Sequence, residues 1–174
     1  MATYDTIIKS GTVFDGTGAP SIQTDIGISG NEISALGNLG NNAMRVVDAT
    51  GKFVTPGFID ITNHSDTHLT LFKYPNLESM LMQGVTSIIG GNCGSSLAPL
   101  ASSFAIHGIQ KWADLSDINI NWTTFKEYLS EIDILSPGVN VGSFIGYGTL
   151  RRGIIGDEIR LLTAEERERL KQLL

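Results

Sequence analysis

Val85-Thr86-Ser87-Ile88-Ile89-Gly90-Gly91-Asn92-Cys93-Gly94 is the stretch on which the fold of this chain turns. Val85 to Ile89 is a short run of β-branched and apolar residues, the pattern of a buried strand. It passes directly into a glycine-rich turn that carries a cysteine. With glycines close on both sides, the sulfur of Cys93 can approach a ligand without steric cost. When such strands alternate with helical patterns they form parallel sheets. Those sheets carry their chemistry at the carboxyl ends of the strands.

Working outward, the same alternation recurs on both sides. Upstream, Phe53 to Asp60 reads as an apolar strand with Pro56-Gly57 inside it. It leads into Asp60-Ile61-Thr62-Asn63-His64-Ser65-Asp66. Thr62 and His64 are two residues apart, so on an extended strand both would point to one face. Pro75 to Met82 reads as a helix, with Leu77, Met80 and Leu81 at helical spacing. Downstream, residues 108–121 read as an irregular surface insertion. Trp122, Phe125, Leu129 and Ile132 mark the stripe of a helix that runs through Leu135 and is broken by Pro137-Gly138. Val139 to Ile145 gives a third strand, ending in Gly146-Tyr147-Gly148. Thr163-Ala164-Glu165-Glu166 is a capping box opening a last helix that runs to Leu174.

Residues 53–174 thus supply about three βα units. A complete barrel of eight needs about 250 residues, and an open three-strand parallel sheet leaves apolar surface uncovered. The expected fold class is α/β, with these units the first three of an incomplete TIM barrel. Residues 1–52 read as a separate small, sandwich-like β domain. Strands are expected at Tyr4 to Lys9, Gly11 to Gly16, Asp25 to Ser29, Glu32 to Leu36 and Arg45 to Asp48. Gly30-Asn31 supplies a hairpin turn. The unit is expected to be antiparallel, with edges that need partners.

Composition removes several classes of function. The net charge is −6 and no basic patch is present, which excludes a nucleic-acid surface. The densest charge run, Glu165 to Arg169, alternates sign at helical spacing and reads as a solvated helix face. No run approaches the ~20 apolar residues of a membrane span. The opening Met1 to Asp5 lacks the features of a secretory signal. The single cysteine cannot form an internal disulfide, so a reducing, cytoplasmic location is expected. The oligomeric state is left open.

Several of these motifs together resemble a known family. Val54-Thr-Pro-Gly-Phe-Ile-Asp60 followed by a histidine-bearing loop is similar to the start of the amidohydrolase superfamily. Gln83 to Gly94 with Ala98-Pro99 resembles its N-acyl-D-amino-acid deacylase branch. So do Gly146-Tyr-Gly-Thr-Leu-Arg151 with Gly156-Asp157-Glu158, and the opening Tyr4 to Gly16. The Pro-Gly-Phe-Ile-Asp run is widely shared, whereas Gly-Asn-Cys-Gly is much more specific.

The resemblance implies a zinc hydrolase that cleaves a small N-acyl amino acid or related amide. In this family a His-x-His pair and the cysteine contribute metal ligands. By position, Cys93 matches the cysteine and His64 the second histidine. The first position of the pair is Thr62, a departure, because a neutral hydroxyl is a poor zinc ligand beside imidazole or thiolate. Tyr147 stands where many relatives carry histidine, a change expected to alter substrate contacts. The family's catalytic aspartate lies downstream of this chain, and neither Asp60 nor Asp66 replaces it, so the chain alone is expected to be inactive.

Other polar residues have alternative readings. Asp66 is expected to orient His64, contact substrate or make a loop hydrogen bond, and Asn92 to contact substrate or support the ligands. His68 and His107 read as surface or packing residues, and Arg151 and Arg152 as partners in exposed salt bridges. A non-catalytic relative serving binding or assembly is the main rival, with Thr62 marking lost metal binding. A dihydroorotase- or hydantoinase-like enzyme fits less well, since those relatives keep both histidines and lack Asn-Cys-Gly.

Overall fold

The structure is a computed structural model that describes residues 3–174. The chain divides into two compact units, Met1–Pro56 and Gly57–Leu174.

The first unit is built from β1 (Tyr4–Val13), β2 (Ile22–Ser29), β3 (Glu32–Gly37), β4 (Ala43–Asp48) and β5 (Phe53–Val54). They form one five-stranded sheet in the order β3-β2-β1-β4, with β5 also on β1. Among the described residues, one sheet stands where a sandwich-like unit was expected. The expected strands at Tyr4 and Gly11 are a single strand, β1, carried through an irregularity at Ser10, whose φ is 58°. The Gly30-Asn31 hairpin forms as its sequence predicts, joining β2 to an antiparallel β3. The all-antiparallel expectation is corrected, because β4 and β5 both run parallel to β1. Local turn signals report hairpins only, and β4 returns along the opposite edge of β1, out of their reach.

The expected single strand from Phe53 to Asp60 is also two strands. β5 completes the first sheet, pairing Thr12 with Phe53 and Val13 with Val54. Pro56 then interrupts the ladder, since it has no N–H to donate. The first unit therefore extends beyond residue 52, through Pro56.

The second unit contains β6 (Phe58–Asp60), α1 (Thr70–Lys73), α2 (Glu78–Leu81), β7 (Val85–Gly90), α3 (Ser103–Gln110), α4 (Phe125–Leu135), β8 (Asn140–Ser143), α5 (Tyr147–Ile155) and α6 (Ala164–Lys171). Strands β6, β7 and β8 are adjacent and all parallel, so the alternation read from the sequence holds. Ile88 lies at the centre of this sheet, 2% exposed, within a core that includes Leu71, Leu97, Ile109, Trp122, Tyr128 and Ile132. Burying an aliphatic side chain of this size is worth roughly 1.5–3 kcal/mol. Phe72 stacks on Trp122 with ring centroids 5.3 Å apart. The indole N–H of Trp122 donates to the carbonyl of Leu97 at 2.8 Å.

The helices depart from expectation in instructive ways. The expected capping box of Thr163 with Glu166 forms, and a second, of Thr124 with Glu127, opens α4. Because Thr124 caps α4, Trp122 lies before the helix, and the buried face is Tyr128 and Ile132, with Leu129 exposed. The helix expected from Pro75 to Met82 contracts to Glu78–Leu81, and α6 ends at Lys171. Part of the expected surface insertion is α3, with Ala105, Gly108 and Ile109 buried. Gly108 weakens the helical signal, yet a Cβ there would run into the guanidinium of Arg152. Helix α5 was likewise hidden by Gly148 and Gly153. Among the described residues, no helix is long and apolar enough to cross a membrane.

Candidate metal centre

Two turns at the carboxyl ends of neighbouring parallel strands make the site. The first follows β6. The carboxylate of Asp60 accepts the N–H of Thr62 at 3.1 Å and the side-chain amide of Asn63 at 2.8 Å. This turns the chain immediately after the strand. The N–H of Asn63 then donates to the carbonyl of Ile89 at 3.1 Å. The side-chain oxygen of Asn63 accepts the N–H of Ser65 at 2.8 Å. His64 is thereby held half-buried, facing the second turn.

The second turn follows β7. Gly91 has φ +73° and its backbone lies against Phe144, so a Cβ at this position would collide with the Phe144 carbonyl. Cys93 itself adopts φ 55°, a left-handed conformation that is uncommon outside glycine and found often at functional sites. Beyond it, the carbonyl of Gly94 accepts the N–H of Thr149 at 3.1 Å. The Thr149 hydroxyl in turn accepts the N–H of Ser96 at 2.9 Å. The N–H of Gly146 donates to the Ser96 hydroxyl at 2.9 Å. The start of α5 thus braces the cysteine turn, a role for Ser96 and Thr149 that no spacing in the sequence signalled.

Here Cys93 and His64 meet, with Sγ 3.5 Å from Nε2. Two ligands of a tetrahedral zinc ion, at ~2.3 Å for sulfur and ~2.0–2.1 Å for nitrogen, stand roughly 3.5 Å apart. Thiol and imidazole are therefore both the right donors and at the right separation. Among the described residues, no group of three or more His, Cys, Asp or Glu side chains converges. Cys93 and His64 are two such donors side by side.

The remaining expected residues fall in different places. Thr62 is exposed, and since β6 ends at Asp60 the extended strand that would align it with His64 does not exist. The side-chain amide of Asn92 donates to the carbonyls of Ile89 at 2.6 Å and Asn63 at 3.3 Å. It ties the two turns together through the backbone. Tyr147 opens α5 and lines a separate cavity with Arg151, Arg160 and Arg167. Asp66 is 3% exposed, and its Oδ2 accepts the N–H of Gly91 at 2.8 Å. Burial pushes its carboxyl above the usual range, with the Gly91 N–H opposing. Arg152 pairs with Asp157 at 2.9 Å, whereas Arg151 donates to the carbonyls of Glu158 and Arg160.

A cavity of about 260 Å³ opens beside the pair, lined by His64, Cys93, Thr67, His68, Ser95 and Trp112. His68 was expected to be a surface or packing residue. It is exposed, as that reading has it, and its ring packs between those of His64, at 6.3 Å, and Trp112, at 6.0 Å. The four-residue spacing of the two histidines was the available signal. The chain turns helically there, with the N–H of His68 donating to the carbonyl of His64 at 3.0 Å.

The fold and site define a class, an α/β protein whose candidate centre sits at the carboxyl edge of a parallel sheet. Within that class the chain belongs to the amidohydrolase family, whose model matches residues 45–172. It is 34% identical over 173 residues to the D-aminoacylase of Alcaligenes xylosoxydans xylosoxydans, covering 98% of this chain and 34% of that enzyme. It is similar to the crystal structure of the N-acyl-D-glutamate deacylase of Bordetella bronchiseptica, which holds zinc and a phosphonate inhibitor. There the TM-score is 0.83 at 32% identity, covering 98% of this chain and 35% of that one. A D-aminoacylase structure with a binuclear metal centre matches with a TM-score of 0.86 at 36% identity, over 98% and 35% of the two chains. The chain spans about a third of the length of the curated relatives it matches.

Proposed function

We propose that this chain forms the opening part of a zinc-dependent hydrolase that removes the acyl group from N-acyl-D-amino acids, with Cys93 and His64 among the zinc ligands. The observation that carries this reading is the 3.5 Å approach of the two side chains at the ends of β6 and β7. The three parallel strands and their helices are then the first units of a (β/α) barrel. A bound zinc ion supplies Lewis acidity, polarising an amide carbonyl and making water a stronger acid. The residues of this chain hold the ion and offer the adjoining cavity to the substrate. A carboxylate that moves the proton to the departing amine is also required. Asp66 is ill-suited to that task because its Oδ2 is committed to Gly91. Hydrolysis therefore needs groups outside these 174 residues, and the chain alone is inactive.

The test is zinc content and N-acyl-D-amino-acid hydrolysis by the protein, with and without Cys93→Ala. Loss of zinc in the variant is expected, with no hydrolysis by the chain alone in either form. Unchanged zinc in the variant overturns the ligand assignment.

One observation favours a second reading, a non-catalytic relative that serves binding or assembly. Thr62 is exposed and offers no ligand beside His64. Absence of zinc from the unsubstituted protein would support that reading against the first.

A further inference from the structure

We propose that Asp66 is a positioning residue that locks the His64 turn to the Cys93 turn and so sets the separation of the two side chains. The inference rests on the reading of Cys93 and His64 as an ion-binding pair. Asp66 lies two residues after His64, and Gly91 lies two residues before Cys93. The hydrogen bond from the Gly91 N–H to Asp66 Oδ2 therefore closes a ring of chain. That ring runs His64-Ser65-Asp66, across the bond, through Gly91-Asn92-Cys93, and back across the 3.5 Å contact.

The far side of the ring is equally fixed. The Phe144 N–H donates to the carbonyl of Gly90 at 3.0 Å, and the Gly91 backbone is seated against Phe144. Gly91 is held between Phe144, just past the end of β8, on one side and the carboxylate on the other. A Cβ at Gly90 would lie 2.8 Å from Asp66 Oδ2, so the carboxylate also rests directly on the strand end.

Cost argues in the same direction. Taking an ionisable side chain out of water is unfavourable unless its oxygens are paired. The Oδ1 of Asp66 is buried without a hydrogen-bond partner. A residue present for packing alone would be apolar. A carboxylate kept here at such cost is explained by the bond its other oxygen makes. Asn92 ties the turns through the carbonyls of Ile89 and Asn63, and Asp66 adds a second tie through the Gly91 N–H.

The experiment compares Asp66→Leu, branched at the same carbon but without an acceptor, with Asp66→Asn, which keeps one. The first readout needs no metal: nuclear Overhauser contacts between the His64 ring and the Cys93 β-protons. They are expected in the unsubstituted protein and in Asp66→Asn, and lost in Asp66→Leu while the amide spectrum of the first unit is unchanged. Their absence from the unsubstituted protein, or persistence in Asp66→Leu, overturns the inference. The second readout is the thiolate-to-Co²⁺ charge-transfer band on titration with cobalt. Asp66→Leu should weaken cobalt binding roughly 10–100-fold, with Asp66→Asn recovering most of the loss. Equal affinity in all three proteins also overturns the role assigned to Asp66. If the unsubstituted protein shows no thiolate band, the ion-binding reading fails, and the Overhauser contacts still decide whether Asp66 holds the turns.

Discussion

The Nε2 of His64 lies 3.5 Å from the Sγ of Cys93, although the residues are 29 positions apart in the chain. They meet because β6 and β7 are parallel neighbours that end at the same edge. Neither side chain is brought there by its own local structure. Each depends on a turn held from below by backbone hydrogen bonds and from the side by a neighbouring turn.

The two histidines that line the cavity should behave differently. Only His64 touches Cys93, so His64→Ala should weaken zinc binding by more than the roughly 10–100-fold typical of changes around a ligand. His68→Ala should change it by only a few fold. Competition titration with a chromophoric chelator measures both, and a larger loss from His68→Ala would contradict the assignment.

Gly91→Ala should damage stability and site together. A non-glycine residue in this backbone region costs about 1–3 kcal/mol, and here the added methyl also meets the Phe144 carbonyl. Urea unfolding should show a loss of at least that size, and zinc affinity should fall with it. A variant within ~0.5 kcal/mol of the unsubstituted protein would refute the close approach.

Trp122→Phe removes the donor to the Leu97 carbonyl inside the core. Leaving a buried acceptor unpaired costs about 1–3 kcal/mol. The unfolding midpoint should drop accordingly, with zinc binding intact because Trp122 does not line the cavity beside His64 and Cys93. Loss of zinc binding in a folded Trp122→Phe protein would show that this separation is wrong.

The first unit should carry a pH-dependent contribution from Asp25. Its carboxylate pairs with Lys9 at 2.7 Å and accepts the N–H groups of Ser10 and Leu39. The Lys9 hydrogen bond, followed by that of Ser10, pulls its pKa from 3.8 down to about 2. A group whose pKa is lower folded than unfolded stabilises the fold above its unfolded value. The contribution is thus complete above pH ~4 and lost as the pH falls through about 2. Urea unfolding between pH 5 and 2 should show a steeper loss for the unsubstituted protein than for Asp25→Asn. Parallel curves would refute the shift.

Much of the second unit was legible because its signals are local. The apolar run of β7, the Thr163 cap and the glycine-flanked Cys93 all act within a few residues of themselves. α3 and α5 were hidden because Gly108 and Gly153 lower helix propensity, while their value lies in close packing. A Cβ at Gly108 would meet Arg152, and one at Gly153 would lie 3.0 Å from the Cβ of Ala101. Neither contact has any trace in the order of residues around the glycine.

From the sequence alone came the βα alternation, the family resemblance and the two donors, Cys93 and His64. The alternation follows from short-range periodicity, whereas the two donors are what the resemblance of short motifs to the family implies. Only the tertiary structure decided that β4 and β5 run parallel to β1, that Thr62 turns away, that His68 and Trp112 flank the pair, and that Asp66 spans the two turns. Those outcomes depend on which distant segments lie side by side, and that is set by the packing of the whole unit.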